Sequence, residues 1–406
     1  MSAVIIKSID IKQVNENTLT ISCNLGGVIS TVLRYNIESE YASELLDKLQ
    51  PITPEFAVMA CMPLAMLGGC DIISKVPVDP VFLSNMKLYV RRMKAYSPHT
   101  PPPGWEFYKH EIIDPWKDLL HDVKIQAEEE QMMGATHKTR VGMMGSGGVD
   151  SVYTLMGVHE IDDVVIIKNM NYPNIVNSLK VFKELRPELR VHVVETNFSY
   201  DQSATWEWLT FYHAPFLASV ALLFSRYFTS MLISGTDRGP GVEIGSGWDV
   251  DYLWSSSLMR FLSYGNVSRF RKIEYLVNHE DAESIFKYIH LCSDFNQRGE
   301  NINCSKCWKC LFTMLMIDAC GFKEKASAFD FTDFAENFKD NFVNWNYNVD
   351  YTFLYDMPLI MDAYERRGNK EMLDLCKEYM DDSQRHRIPY FPLSTLIGNE
   401  VKITVR

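Results

Sequence analysis

No stretch of this chain stays apolar for long. The longest nearly pure run, Ala214 to Phe224, covers eleven residues, against the ~18 needed to cross a bilayer. No membrane association is therefore expected. Lys7, Asp10 and Lys12 interrupt the first apolar stretch, which is not the pattern of a secretory leader, so the expectation is a cytoplasmic protein. Positive charge is also short: 40 lysines and arginines face 52 aspartates and glutamates, a formal net charge of −12. That deficit argues against a nucleic-acid coat, while leaving room for a local basic patch. Cysteine is sparse, nine in 406 residues, too few for a disulfide scaffold. What remains is ordinary globular material, 47% apolar and 23% charged, enough for two or three domains of ~100–200 residues with ample core.

Three segments follow from the texture of the chain. Residues 1–131 read as an accessory α+β region. Short antiparallel strands are expected over Val4–Ile11, Leu19–Cys23 and Val28–Tyr35, with Gly26-Gly27 as a hairpin signal. Helical patterns follow near 41–49, 55–66 and 80–95. The proline-rich stretch from Ser97 to Gly104 breaks helix and marks a boundary. A helix near 112–131 is expected to end in the solvated acidic run Glu128 to Glu130. Residues 132–322 alternate strand and helix, with strands at 140–144, 164–167, 191–195 and 231–234 and helices from 150, near 175–186 and near 206–228. That alternation predicts an α/β doubly wound parallel sheet. Ligands on such sheets sit beyond the carboxyl ends of the strands, so the turns at 145–151, 168–174 and 235–251 should share one rim. Residues 323–406 form a mostly helical extension, with patterns near 331–342, 357–367 and 370–381 and no functional reading of its own.

The sharpest motif is Gly145-Ser146-Gly147-Gly148-Val149-Asp150-Ser151, set between a strand and a helix. Glycines let backbone N–H groups close on phosphate, and a helix start adds its positive end. Ser146 and Ser151 can donate hydroxyls to phosphate oxygens. Asp150 would repel phosphate, so its useful roles are bracing the loop or holding Mg²⁺. The lysine of the Walker loop is missing, and the dinucleotide G-x-G-x-x-G pattern is not met. A plain capped turn is the bland alternative.

Cysteine usage supplies the second motif. Cys304-x-x-Cys307-x-x-Cys310, with Cys292 twelve residues upstream, offers four thiolates at chelating spacings, and a closed tetrahedral zinc site is the structural outcome such a set favours. An Fe–S cluster is the rival and a metal-free thiol cluster the bland alternative. Cys23, Cys61, Cys70, Cys320 and Cys376 read as small buried hydrophobes.

Ser146-Gly-Gly-Val-Asp-Ser151 after an apolar strand resembles the SGGxDS signature of the PP-loop ATP pyrophosphatases, which share the adenine nucleotide α-hydrolase-like, Rossmann-like fold. The resemblance implies ATP cleavage between its α and β phosphates, with AMP transferred to a substrate and pyrophosphate held by the loop. It implies Ser146, Asp150 and Ser151 as catalytic groups. Contacts to ATP and pyrophosphate would come from Met144, Gly145, Ser146, Gly147, Gly148, Val149, Asp150 and Ser151, with Lys168 at the end of the second strand as a further phosphate contact. Together with the cysteine spacing, the loop resembles the 7-cyano-7-deazaguanine synthase (QueC-like) family of the queuosine pathway. Its members adenylate a 7-deazaguanine carboxylate, take ammonia to form an amide, and activate again to form a nitrile, beside a structural zinc site. The implied ligands are ATP, Mg²⁺ and Zn²⁺. Similarity covers about residues 137–322. The longer chain resembles enlarged relatives encoded in bacterial anti-phage operons, where an amine of a partner protein is the acceptor and the N-terminal region would suit partner docking.

Around the acid-binding position the chain departs from that family. The long apolar helix lacks the usual Arg-Asn pair, and Phe312 and Thr313 stand where relatives often carry arginine. Gly235, Asp237, Arg238, Trp248, Asp249 and Asp251 are the substrate-binding candidates, because carboxylates can accept from ring N–H groups, Arg238 can grip a carboxylate and Trp248 can stack. The substrate expected is a 7-deazapurine-type acid. Two other classes stay open: a tRNA-modifying PP-loop enzyme of thiolation or lysidine type, which the charge disfavours, and a non-catalytic ATP-binding module. Oligomeric state is open, a homodimer included.

Overall fold

The computed structural model describes residues 2–95, 120–129, 139–168, 175–199, 212–236, 245–292, 302–343, 351–383 and 404–405. The N-terminal segment contains β1 (Ala3–Asn15), β2 (Thr18–Gly27), β3 (Val32–Glu38), α1 (Ala42–Leu49), α2 (Glu55–Gly68), β4 (Asp71–Ser74), α3 (Pro80–Ala95) and β5 (Ile125–Gln126). The central segment runs β6 (Val141–Met144), α4 (Val149–Gly157), β7 (Asp163–Ile167), α5 (Ile175–Leu185), β8 (Arg190–Thr196), β9 (Phe198–Ser199), α6 (His213–Leu222), β10 (Ser230–Ser234), β11 (Arg260–Tyr264), α7 (Arg269–Val277), α8 (Ala282–Tyr288) and α9 (Trp308–Ala319). The last segment adds α10 (Phe334–Phe338), α11 (Tyr351–Arg367), α12 (Lys370–Ser383) and β12 (Thr404–Val405), the last paired with β9.

One ten-stranded, mostly parallel sheet runs through the molecule in the order β11-β10-β6-β7-β8-β3-β2-β1-β4-β5. The five strands from β11 to β8 are all parallel, as the strand–helix alternation predicts. The antiparallel N-terminal strands continue the same sheet, because β3 pairs with β8 in the register Tyr35↔Thr196 to Glu38↔Val193. Period-two alternation sends neighbouring side chains to opposite faces. Met144, Val165, Ile167, Met231 and Ile233 enter a core with α2 and α6. Met143, Val164, Ile166 and Leu232 enter a second core with α4, α7, α9 and α11. Helices α2 and α6 pack on each other and are buried nearly all round, as their uniformly apolar sequences require.

Several local expectations are refined or corrected. Gly26-Gly27 lies within the β2–β3 connection that Leu25 N–H closes onto the Thr31 carbonyl, as the hairpin signal expects, and both glycines also pair with β1 at the end of β2. Gly27 is there for close approach: its φ is +80°, and a Cβ would fall 2.0 Å from the Ala3 carbonyl oxygen. The helix expected to 131 does not extend over 120–129, which holds β5 and a bridge between Val78 and Glu129; pairing with β4 overrides the local helical pattern. The apolar helix before β10 ends at Leu222. Strand β11 and helices α7 and α8 had no counterpart in the sequence reading. Cys23, Cys61, Cys70 and Cys376 are buried and Cys320 half-buried. Among the described residues no helix is long and apolar enough to cross a membrane.

Candidate functional site

Strand order reverses at β6, which has β7 on one side and β10 on the other. In an open parallel sheet this reversal leaves a crevice beyond the carboxyl ends of the two diverging halves. The Gly145–Gly148 loop turns there, between Met144 at the end of β6 and the start of α4. Gly145 is demanded by packing, since a Cβ would lie 2.5 Å from Val164 Cγ1 and 2.6 Å from Phe182 Cζ. Gly147 stands at φ +78°, where glycine carries no side-chain penalty. Ser151 Oγ accepts from the Ser146 N–H at 3.0 Å and lies 3.0 Å from Ser146 Oγ. Ser178 on α5 donates to the Ser146 carbonyl at 2.7 Å, and His290 N–H donates to the Gly147 carbonyl at 3.1 Å. These bonds hold the loop from three sides. Gly148 has an ordinary φ of −84°, and a Cβ there would find only van der Waals neighbours at 3.5 Å and beyond, so sterics alone do not require its missing side chain.

Asp150 sits in the first turn of α4 and is clamped. Its Oδ1 accepts from Thr236 Oγ1 at 2.6 Å and from Lys272 Nζ at 2.5 Å, and its Oδ2 accepts from Arg269 Nη2 at 2.9 Å. Burial opposes the charge, but Arg269 and Lys272, with hydrogen bonds from Lys272 and Thr236, outweigh it and hold the carboxyl well below its ordinary range. Lys272 is fully buried; its ammonium also reaches Thr236 Oγ1 at 3.0 Å and the Gly235 carbonyl. The clamp thus ties the end of β10 to the glycine loop. It corresponds to the bracing alternative for Asp150.

Other expected residues have mixed placements. Lys168 donates to Glu195 at 3.1 Å and Glu38 at 3.4 Å; the hydrogen bond to Glu195, then the charges of both glutamates, push its ammonium pKa up. Two carboxylates therefore engage the group expected to meet phosphate. Gly235 is pressed against Asn266, whose Oδ1 would lie 2.2 Å from a Cβ. Trp248 is 71% exposed, so it is not a core plug. Asp249 pairs with Arg92 on α3. Asp251 is buried in a 3₁₀ turn over Asp251–Trp254; its Oδ1 accepts from Ser246 Oγ and Gly247 N–H, both at 2.9 Å. Burial pushes its carboxyl up to about 7 against those hydrogen bonds. Its site is an interior one, and it holds the 246–251 turn. Asp237 and Arg238 lie outside the described residues.

The four expected metal ligands converge. The sulfurs of Cys292, Cys304, Cys307 and Cys310 all lie within 4.8 Å of one another. Cys304 and Cys310 are 3.8 Å apart, and a tetrahedron with ~2.3 Å metal–sulfur bonds has edges of about 3.8 Å. The backbone N–H of Cys307 points at Cys304 Sγ at 3.2 Å, and that of Lys306 at 3.5 Å. Ser305, at φ +60°, makes the tight turn that aims both. The four thiols share their protons: hydrogen bonding with Cys292 draws the Cys304 and Cys307 thiols down, while the bond with Cys304 pushes Cys292 up and the bond with Cys292 pushes Cys310 up, so metal binding has to displace protons from the raised pair. Buried Asn303 accepts from Leu291 and Cys292 N–H and donates to the Ile289 and Ala328 carbonyls. This cluster could hold a metal ion such as zinc, with the donors already gathered.

Sequence reasoning missed Thr236, Arg269, Lys272, Ser178 and His290. One signal was available: Arg269, Arg271 and Lys272 crowd the first turn of α7, where the helix dipole disfavours cations. Comparison of the chain with models of known protein families, with curated proteins and with solved structures finds no match.

Proposed function

We propose that the chain is an ATP-dependent ligase-type enzyme of the PP-loop pyrophosphatase kind, transferring AMP to a carboxylic acid and releasing pyrophosphate. The observation that carries this reading is the glycine loop at the β6–β10 switch point, with Asp150 clamped by Lys272 and Arg269 beside it. Backbone N–H groups of Gly147 and Val149, the Ser146 hydroxyl and the start of α4 provide a cradle for the leaving pyrophosphate. Asp150 braces the loop, and the net positive charge of Lys272, Arg269 and Asp150 taken together offsets part of the phosphate charge, with Mg²⁺ entering on the nucleotide. A carboxylate oxygen of the substrate attacks the α-phosphorus, the bond to the bridging oxygen breaks, and the resulting acyl-adenylate is open to an amine, either ammonia or an amine of a partner protein.

The acid we favour is 7-carboxy-7-deazaguanine or a close analogue, on the joint pattern of loop and cysteine spacing. Exposed Trp248 is the stacking surface proposed for its ring. Zn²⁺ is the ion proposed for the cysteine site, where four thiolates leave no open position and its role is structural.

Incubation with Mg-ATP, 7-carboxy-7-deazaguanine and ammonia, read by mass spectrometry, is expected to yield AMP with an amide or nitrile. The Asp150→Ala variant is expected to lose AMP formation by at least about a hundredfold. AMP formation undiminished in that variant removes the loop from the chemistry. ATP binding without AMP, with this acid or others, points to a nucleotide-binding module instead.

A further inference from the structure

We propose that Asp356, on α11 of the C-terminal segment, is a positioning residue for the Arg269–Lys272 clamp and through it for the Gly145–Ser151 loop. The proposal rests on reading that loop as a phosphate site. It gives the helical extension a part in the site itself.

The argument begins at the start of α7. Three cations, Arg269, Arg271 and Lys272, fall in its first turn, next to the positive end of the helix dipole. Among the described residues the N–H groups of that turn find acceptors on two residues, Ser268 and Asp356, the Ser268 carbonyl taking Lys272 N–H at 3.2 Å. Ser268, the N-cap, accepts from Arg271 N–H at 3.4 Å. The second comes from 86 residues away: Asp356 Oδ2 accepts from Phe270 N–H at 3.2 Å. Asp356 is fully buried, and its Oδ1 has no hydrogen-bond partner among the described residues. Such a carboxylate is costly to bury, so a compensating field is needed, and the crowded cations of α7 supply one. Burial pushes the Asp356 carboxyl up, while the Ser268 hydroxyl, Phe270 N–H and the Arg269 charge pull against that rise. Arg269 acts on Asp150 as well. Its guanidinium bonds the carboxylate of the loop helix, while its charge also acts on the carboxylate of the extension.

Helix α11 is well placed to fix this arrangement. Tyr364, two turns on, donates to the Leu315 carbonyl or to Asp318 Oδ2, each at 3.0 Å, on α9, the helix that carries Cys310. Met357 and Ile360 are buried in the same core as Cys310 and Phe270. The extension thus links the metal-bearing helix to the cation-bearing helix.

The test uses the full chain with Asp356→Ala, Asp356→Asn, Arg269→Gln and the Asp356→Asn/Arg269→Gln double variant. Two readouts are taken: denaturant unfolding without ligand, and calorimetric titration with inorganic pyrophosphate plus Mg²⁺. Asp356→Ala is expected to weaken pyrophosphate about tenfold, and Asp356→Asn, which keeps an acceptor for Phe270 N–H, to weaken it less; in unfolding, the double-variant cycle should depart from additivity by at least about threefold in the equilibrium constant. Additive unfolding effects, or unchanged pyrophosphate affinity in Asp356→Ala, overturn the proposal while the phosphate reading stands. If the unaltered chain binds no pyrophosphate yet the cycle is coupled, the phosphate reading falls and the Asp356–Arg269 brace stands. Should Asp356→Ala fail to fold, the asparagine variant and the cycle decide.

Discussion

Asp150 and Glu55 show two ways in which this molecule handles a carboxylate away from bulk water. Asp150 is answered by two cations and a hydroxyl, so it stays charged; removing Lys272 or Arg269 leaves it one cation in place of two, a loss expected to fall below the ~3–5 kcal/mol typical of breaking a fully buried pair. Glu55 makes no ion pair among the described residues. It is buried at the start of α2, its Oε1 accepts from Asp79 N–H at 2.8 Å, and its Oε2 has no hydrogen-bond partner among the described residues. Burial first, then the charge of Asp79, pushes its carboxyl from an ordinary 4.5 up to about 7, against hydrogen bonds from Thr53 and Asp79 N–H. The folded protein then holds a proton that the unfolded chain releases. Its contribution to stability is full below about 4.5, falls as pH rises towards about 7, and is level above that. In urea unfolding at pH 5 and pH 8, Glu55→Gln is expected to lose less stability between the two than the unaltered chain, by roughly 2–3 kcal/mol. Asp251 titrates over a similar window and keeps its own slope in the variant. Equal losses in both proteins contradict the assignment.

At the scale of the element, the glycine loop separates folding demands from binding demands. Gly147 is constrained by its positive φ and by Ser178 Cα, 3.2 Å from a would-be Cβ. Gly147→Ala is therefore expected to destabilise by about 1–2 kcal/mol, the cost of a left-handed alanine. Gly148 carries neither constraint. Gly148→Ala is expected to leave stability within about 0.5 kcal/mol yet, on the proposed phosphate reading, to weaken pyrophosphate binding, because a phosphate loop needs close backbone approach. Denaturant unfolding and pyrophosphate titration on the pair check this. A Gly148→Ala protein that binds normally takes away the glycine's ligand-facing rationale. Helix α7 shows the same division: its first turn is unfavourable as an isolated helix and favourable only once Asp150 and Asp356 face it.

For the whole molecule, the continuous sheet means that the loop is supported from both chain ends. Glu38 of β3 reaches Lys168 at the rim, and the 289–292 strap joins the loop to the cysteine cluster, since His290 bonds to Gly147 two residues before Cys292. A bound metal would fix that strap. The expected result is one zinc per chain by elemental analysis, with Cys307→Ser losing it, melting several degrees lower and binding pyrophosphate more weakly. Purified protein that is brown in air points instead to an Fe–S cluster. Unchanged melting and binding after metal loss disconnect the cluster from the loop.

What could be read without a structure was short in range. The continuous β-branched run at 164–167 and the valine-rich stretch at 191–195 specify strands covered on both faces, as a parallel sheet requires. Gly145 to Ser151 and the Cys304–Cys310 spacing specify their local geometry because the groups that act together lie within a turn of one another. Gly26-Gly27 marked the β2–β3 connection but not the pairing of the same glycines with β1, because glycine serves a close approach as readily as a turn. Strand β11 and the clamp were hidden for a different reason. Asp150 meets Arg269 and Lys272 across 119 and 122 residues, and Asp356 reaches Phe270 across 86. Local pattern carries no information about which cation among 40 lysines and arginines will face a given carboxylate. The amino-acid sequence by itself determined the parallel core, the loop and the gathered cysteines. Only tertiary packing, which places β10 and β11 beside β6 and lays α11 across α7, decided which charges surround that loop, because burial makes each such charge dependent on a distant partner.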